Sequence, residues 1–231
     1  MTVDSRKVPG CGQRLSPDVW QELCGLGVER RFRAGSTILR QGALGTHLLA
    51  LTDGLVKVVR REESGESTLL AFRGPGDLLG EVAVFDHQVR IADVIALRPC
   101  KAVTLEAERF RAFVERRGLV MELMQQTLAR LRESDLRHAE LQRLSIPTRL
   151  ARSLVRLADL MGPVPVSDDG PLRLTGLTQE ELAQAIGVTR NAIVGSLHEL
   201  RQAGAVDTAR RVITIRDMDT LRSWAAGTKK L

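Results

Sequence analysis

The sequence predicts an α+β fold in which short antiparallel strands form a barrel or sandwich, a long helix follows, and a small helical unit with a two-stranded wing completes the chain. Three observations carry this. Between about Glu29 and Leu105, short apolar runs are broken by Gly35, Gly42, Gly45, Gly54, Gly65, Gly74, Gly76 and Gly80, and turn signals about every ten residues mark antiparallel strands. From Leu119 to Leu144 the seam residues recur every 3.5 positions on average, the period of a paired helix. From Leu177 to Leu200 two short helical patterns meet at a tight turn.

In chain order, residues 1–14 are polar and glycine-rich and read as a loose arm, and Pro17–Leu26 as a short helix. Leu48–Leu51, Leu55–Val59, Thr68–Phe72, Ile91–Ala96 and Ala102–Leu105 are the candidate strands, with Glu62–Glu66 as a solvated hairpin tip. A helix starts near Ala107, with Phe110, Phe113 and Val114 on its apolar side, and stops at Gly118. The long helix Leu119–Leu144 has a seam of Val120, Met124, Thr127, Leu131, Ser134, His138 and Leu141, and outer faces carrying Arg130, Arg132, Glu133, Arg137 and Glu140. One helix cannot bury such a stripe alone. Pairing with a second copy is the economical solution, and packing on its own barrel the alternative. Pro147 breaks this helix, and Thr148–Leu160 forms the next, with Leu150, Leu154 and Leu157 inward. Met161–Pro165 ends it and Ser167–Gly170 is a loop. The expected division is an arm (1–14), a barrel (15–118), a dimerisation helix with hinge (119–145) and a C-terminal domain (146–231).

The helix pair in the C-terminal domain is specified residue by residue. Thr178 caps the first helix, with Glu181 three residues on to complete a capping box. Leu182 and Ile186 give that helix its apolar face, and Gly187 makes the sharp turn. Thr189 caps the second helix, and Ile193, Leu197 and Leu200 supply its core stripe. Arg190, Asn191, Val194 and His198 are left facing out near its beginning, where a recognition helix meets base edges; the alternative is an ordinary helical hairpin in a core. Val206 and Arg211–Ile215 suggest a two-stranded wing, and Asp219–Ala226 a closing helix.

Composition excludes several function classes. The 231 residues carry a net charge of +6, divided evenly about Ile146, so bulk charge alone does not identify a polyanion-binding half. Aromatics make up 3% and tyrosine is missing, which argues against a single-strand platform that stacks bases on exposed rings. No apolar run reaches membrane-spanning length, and the first residues lack the hydrophobic core of a signal peptide; a cytoplasmic address is expected. Cys11, Cys24 and Cys100 have no CxxC spacing and fall one short of a usual iron–sulfur ligand set; Cys100 reads as a small buried hydrophobe. No nucleophile–base pair, metal triad or Walker loop is visible, and Gly74-Pro75-Gly76 lacks the lysine of a P-loop. No catalytic residue, metal or enzymatic activity is expected.

The segment Phe32-x-x-Gly35-x-x-Ile38-x-x-Gln41-Gly42-x-x-Gly45, followed by Gly76-Asp77-Leu78-Leu79-Gly80-Glu81, resembles the cyclic-nucleotide-binding domain. The order barrel, long helix, hinge and winged helix–turn–helix, from about Leu15 to Ala226, resembles the cyclic-AMP receptor protein/fumarate–nitrate regulator superfamily of bacterial transcription factors. The resemblance implies a jelly-roll sensor, a homodimer on a pseudo-palindromic double-stranded DNA operator, and contact with RNA polymerase. It implies no obligatory cofactor; cyclic AMP is the first choice of effector and cyclic GMP the second. The alternative is the same regulator with a redox, haem or dinucleotide input, or none.

Carried onto this chain, the resemblance implies that Glu81 accepts a ribose hydroxyl and that Arg90 pairs with the phosphate. Backbone N–H groups around Gly80 and Val82, with Ala92, complete the phosphate end; a structural Glu81–Arg90 ion pair is the alternative. Ile91 stands where the family carries Ser or Thr. Losing that hydroxyl costs about 1.5–3 kcal/mol, or roughly ten- to a hundredfold in affinity. Ser134 and Asp135 fall at the base-reading positions, and a carboxylate at Asp135 suits either an adenine amino group or a guanine edge. In the reading helix, Arg190 suits guanine O6/N7 and Asn191 suits adenine N6/N7, while Gly195 replaces a basic reader. Thr178, Thr189, Ser196, Arg210 and Arg211 are the remaining expected DNA contacts, which set position rather than sequence.

Overall fold

The computed structural model of the protein describes residues 15–63, 65, 67–161 and 171–227. The expected arm at 1–14 with Cys11, Ser64 and Glu66 of the hairpin tip, and the segment 162–170 with its loop Ser167–Gly170 lie outside the described residues.

Ser16 opens α1 (Pro17–Gly25), with Pro17 in the first turn, where no intrahelical N–H partner is needed. The barrel strands then run β1 (Val28–Phe32), β2 (Thr37–Leu39), β3 (His47–Asp53), β4 (Val56–Arg61), β5 (Ser67–Arg73) and β6 (Leu78–Leu79). The short helix α2 (Glu81–Phe85) intervenes before β7 (Asp93–Ala96) and β8 (Cys100–Glu106). They form two antiparallel four-stranded sheets, ordered β1-β8-β3-β6 and β2-β7-β4-β5. Side chains alternate across β3, so one strand serves two cores. Leu49 and Leu51 join Leu39, Val56, Val94 and Cys100 between the sheets. Leu48 and Ala50 face the other way, packing with Leu23 of α1 and with Phe110 and Phe113 of α3 (Ala107–Arg117).

After α3 comes α4 (Val120–Arg143), then α5 (Ile146–Leu160). Pro147 does not make the break between them. Leu144 and Ser145 are extended, and the proline lies within the first turn of α5, where its missing N–H costs nothing. The C-terminal unit continues with β9 (Leu172–Thr175), α6 (Gln179–Ala185), α7 (Arg190–Gln202), β10 (Val206–Ala209), β11 (Val212–Ile215) and α8 (Met218–Ala225). The wing has three strands rather than the expected two, in the order β10-β11-β9. β9 finds its partner some forty residues on, a pairing that no local pattern announces. The expected strand at Ile91 starts instead at Asp93, because the Arg90 backbone is already bonded to Gly42 and Ala43.

The two halves share a core. Leu55 and Leu97 of the barrel belong to the cluster built by Leu150, Leu154, Leu182, Ile193 and Leu197, with Phe72 packed against it. Lys57 of β4 donates to the carboxylate of Glu181 in α6, and both side chains are mostly buried. That same carboxylate accepts the Thr178 N–H at 2.8 Å, while Thr178 Oγ1 accepts the Glu181 N–H at 3.1 Å, completing the capping box. One residue therefore caps the helix and docks it on the barrel.

Burial alone would raise the Glu181 carboxyl, but Lys57 and Thr178 together hold it below its ordinary value. A depressed carboxylate stabilises the fold above the unfolded-state value, near 4.5, and that contribution fades as pH falls through the lower folded value. Glu181→Gln keeps a capping side chain but loses the charge. It is expected to cost about 1–3 kcal/mol at pH 7, with the gap to wild type closing below about pH 4 in denaturant titrations. A second test concerns Arg211, which turns the β10–β11 hairpin at φ +58°, the left-handed region. Relieving that strain returns about 1–2 kcal/mol, against up to about 1 kcal/mol of glycine chain entropy. Arg211→Gly should thus leave the melting temperature equal to or above that of wild type.

Candidate functional site

A cavity of about 440 Å³ lies between the barrel and α4. Its wall brings together Gly80, Glu81, Val82, Arg90, Ile91, Ala92 and Ser134, residues up to 54 positions apart in the chain. Gly80 opens α2 at φ +80°, and a Cβ there would overlap the Arg90 guanidinium, so both conformation and space require glycine. Arg90 is 4% exposed and donates to the carbonyls of His47 at 2.6 Å and Gly80 at 3.5 Å. Burial pushes its pKa down, while the nearby Glu81 charge works in the opposite direction.

Glu81, 8% exposed, takes its ion pair from Arg130 of α4 and not from Arg90. Arg130 also donates to the Leu78 carbonyl at 2.9 Å and stands 3.7 Å from Asp77. Four guanidinium groups (Arg73, Arg90, Arg130 and Arg137) line the cavity against two carboxylates, Glu81 and Asp86. The site is therefore built for an anion. Ile91 lies at the cavity lip and is 64% exposed. Among the described residues no cluster of His, Cys, Asp and Glu could hold a metal ion.

The faces of α4 differ from the expected ones. Thr127, Leu131 and Ser134 of the expected seam line the cavity, and Thr127 and Leu131 are exposed as well. Leu141 packs on the turn glycine Gly187. Val120, Met124, Leu131, His138 and Leu141 of that seam are exposed, and the exposed apolar surface also takes in Met121, Leu128 and Leu136, with Asp135 exposed beside them. Asp135 consequently does not line the cavity of its own chain. The charges expected on the outer faces mostly turn inward. Arg130 meets Glu81, Glu133 stands 3.5 Å from Arg73, and Arg137 donates to the Leu70 carbonyl at 2.8 Å. Glu140 pairs with Arg152 at 3.0 Å and Arg156 at 3.2 Å on α5. Sequence reasoning missed Arg130 and Arg137 as site residues. The available signal was their register: positions 130, 133, 137 and 140 form a charged heptad stripe of their own.

In the C-terminal unit, Thr189 caps α7 by accepting the Ala192 N–H, and Ile193, Leu197 and Leu200 are buried as their spacing requires. Arg190, Asn191, Val194, Gly195 and His198 are exposed along one side, and Arg210 and Arg211 are exposed at the hairpin tip. Ser196 is different. It is 4% exposed and its hydroxyl donates to the Ala192 carbonyl, so it cannot serve as a phosphate contact. The Thr178 hydroxyl donates to Glu181 at 3.0 Å, leaving it no proton for a phosphate.

Residues 29–117 match the family model of the cyclic nucleotide-binding domain, and residues 148–224 that of the Crp-like helix-turn-helix domain. The chain is 31% identical over 192 residues to the CRP-like cAMP-activated global transcriptional regulator of Mycobacterium tuberculosis H37Rv, across 82% of this chain and 84% of that protein. It is also 31% identical to the cyclic AMP receptor protein of Thermus thermophilus, covering 86% and 88% of the two chains. Among solved structures, a CRP-family transcriptional regulator from Thermus thermophilus superposes with a TM-score of 0.70 at 27% identity, over 85% of this chain and 96% of that one. With the barrel, the long helix and the capped reading helix in the same order, this chain belongs to the cyclic-AMP receptor protein/fumarate–nitrate regulator family of transcription regulators.

Proposed function

We propose that the protein is a homodimeric, sequence-specific DNA-binding regulator whose two reading helices are set by a cyclic purine nucleotide in the barrel cavity. The observation that carries this reading is the double use of α4. One face closes the cavity with Arg130 and Ser134, an apolar strip from Val120 to Leu128 is exposed, Leu131 borders both, and the end of the helix is tied to α5 through Glu140. Arg90 would hold the phosphate, Glu81 the ribose and Ser134 the base. The names of the relatives, which are cAMP-activated or cyclic AMP receptor proteins, support a nucleotide of this class.

Two copies would pair through Val120, Met121, Met124, Leu128 and Leu131. Their reading helices would then meet half-sites about 34–36 Å apart. Arg190 would read guanine, Asn191 adenine and Val194 a thymine methyl, with His198 at the edge and Gly195 leaving space. Thr189, Arg210 and Arg211 would hold phosphates, and RNA polymerase is the partner on which such a regulator acts. Ligand would act by binding the correctly spaced dimer better than the misplaced one. A second reading keeps the DNA function with another effector or none. It is favoured by the exposed Ile91 and by a Glu81 already satisfied by Arg130.

Selection from a randomised duplex pool, with and without each cyclic nucleotide, should return a two-fold symmetric site that is enriched more strongly with nucleotide. Arg190→Ala should lose roughly 5- to 150-fold in affinity for that site, relaxing preference at a guanine position. Leu128→Glu, on the exposed strip and outside the cavity wall, should sediment as a monomer and lose cooperative half-site binding. In calorimetry, Ile91→Ser should tighten nucleotide binding about tenfold by restoring a phosphate hydrogen bond. Failure of both wild type and Ile91→Ser to bind either nucleotide would establish the second reading.

A further inference from the structure

The cavity has a second cationic end that the contacts proposed above leave unused. One helical turn beyond Ser134, Arg137 lines the wall together with Leu70, Ala71 and Arg73 of β5. Its side chain is three-quarters buried. Its Nη1 donates to the Leu70 carbonyl at 2.8 Å, and its Nη2 stands 3.7 Å from Glu133, beyond a good hydrogen bond. A guanidinium has five N–H donors, and the bond to Leu70 uses one. Burial pushes the Arg137 pKa down, and the pull of Glu133 does not offset it. The lining carboxylates offer no remedy, since Glu81 and Asp86 belong to α2 and its end, and Glu81 is committed to Arg130.

A ligand group that reaches this end therefore meets donors and must itself accept. With phosphate at Arg90 and ribose at Glu81, the wall left for the base includes α4 and β5, where Ser134 and Arg137 stand. Guanine presents two adjacent acceptors there, O6 and N7, matching the fork of an arginine. Adenine presents N7 beside an N6 amino group, which would face the guanidinium donor to donor. The Ser134 hydroxyl can donate or accept and so favours neither base. We infer that Arg137 is the specificity-determining residue of the cavity and that it selects a guanine over an adenine cyclic nucleotide. This rests on the cyclic-nucleotide reading proposed above. Arg137 and Ser134 also line a separate cavity of about 260 Å³ that reaches Gln184–Gly187 of the helix–turn–helix, so base recognition acts on the wall shared with the reading unit.

The test is calorimetric titration of the full-length protein with cyclic GMP and cyclic AMP, in wild type, Arg137→Ala and Arg137→Lys, each checked for folding by thermal melting. Wild type should bind cyclic GMP at least about tenfold more tightly than cyclic AMP. Arg137→Ala should bring the ratio to within about twofold through loss of cyclic GMP affinity. Arg137→Lys keeps the charge without the fork and should also lose most of the preference. A residue that only props the wall would weaken both nucleotides alike and leave the ratio unchanged. If Arg137→Ala does not fold, the wild-type ratio and Arg137→Lys decide. Wild type binding cyclic AMP as tightly as cyclic GMP, or a ratio that survives both substitutions, overturns the inference while the cyclic-nucleotide reading stands. Binding of neither nucleotide removes that reading and this inference with it.

Discussion

Charges on a helix face that packs against protein must each find a partner, and α4 meets that demand along most of its length. Arg130 is held by Glu81, Glu133 by Arg73, Arg137 by a β5 carbonyl, and Glu140 by two arginines of α5. Stripping water from such groups costs several kcal/mol each, and removing one partner of a buried pair costs about 3–5 kcal/mol. The helix is thereby fixed in rotation as well as position. A slip of one residue would turn every one of these charges off its partner. The cavity, the exposed apolar face and the joint with α5 all inherit their geometry from this single register.

Fixing the rotation in this way determines which residues are left over. Val120, Met121, Met124 and Leu128 of α4 are left exposed, while Leu123 joins the barrel-side core and the charged stripe takes much of the remaining inner face. Along residues 130–140 this departs from the usual surface helix, in which charges are solvated and aliphatic residues are buried. The sequence pattern of α4 was legible as to length and period but not as to orientation. The general rule places its charges outward, and the barrel partners of Arg130, Glu133 and Arg137 lie 49 to 67 residues away, where no local window sees them.

The reading unit was legible for the opposite reason. Its caps at Thr178 and Thr189, its turn at Gly187 and its core stripe are contacts between residues a few positions apart, so spacing alone specifies them. Ser196 escaped because an i−4 bond to its own helix backbone and a buried position cannot be read from a polar residue type. β9 escaped because its pairing is remote, and β6 and α2 because two and five residues carry too little periodicity. In the barrel, the glycines placed the turns. What they could not say is that Leu55 and Leu97 leave their own sheet to complete the core of the C-terminal unit.

Gly187 occupies an unusual place in this arrangement. It turns the chain between α6 and α7 at φ +65°, and Leu141, near the end of α4, rests directly on it, so that a Cβ would fall 2.7 Å from the leucine methyl. The rod and the hinge-side reader thus touch with no side chain between them on one side. A methyl group here would meet only the tip of Leu141, a side chain exposed enough to swing aside, so it is the left-handed backbone of this turn, more than the contact, that holds the position to glycine.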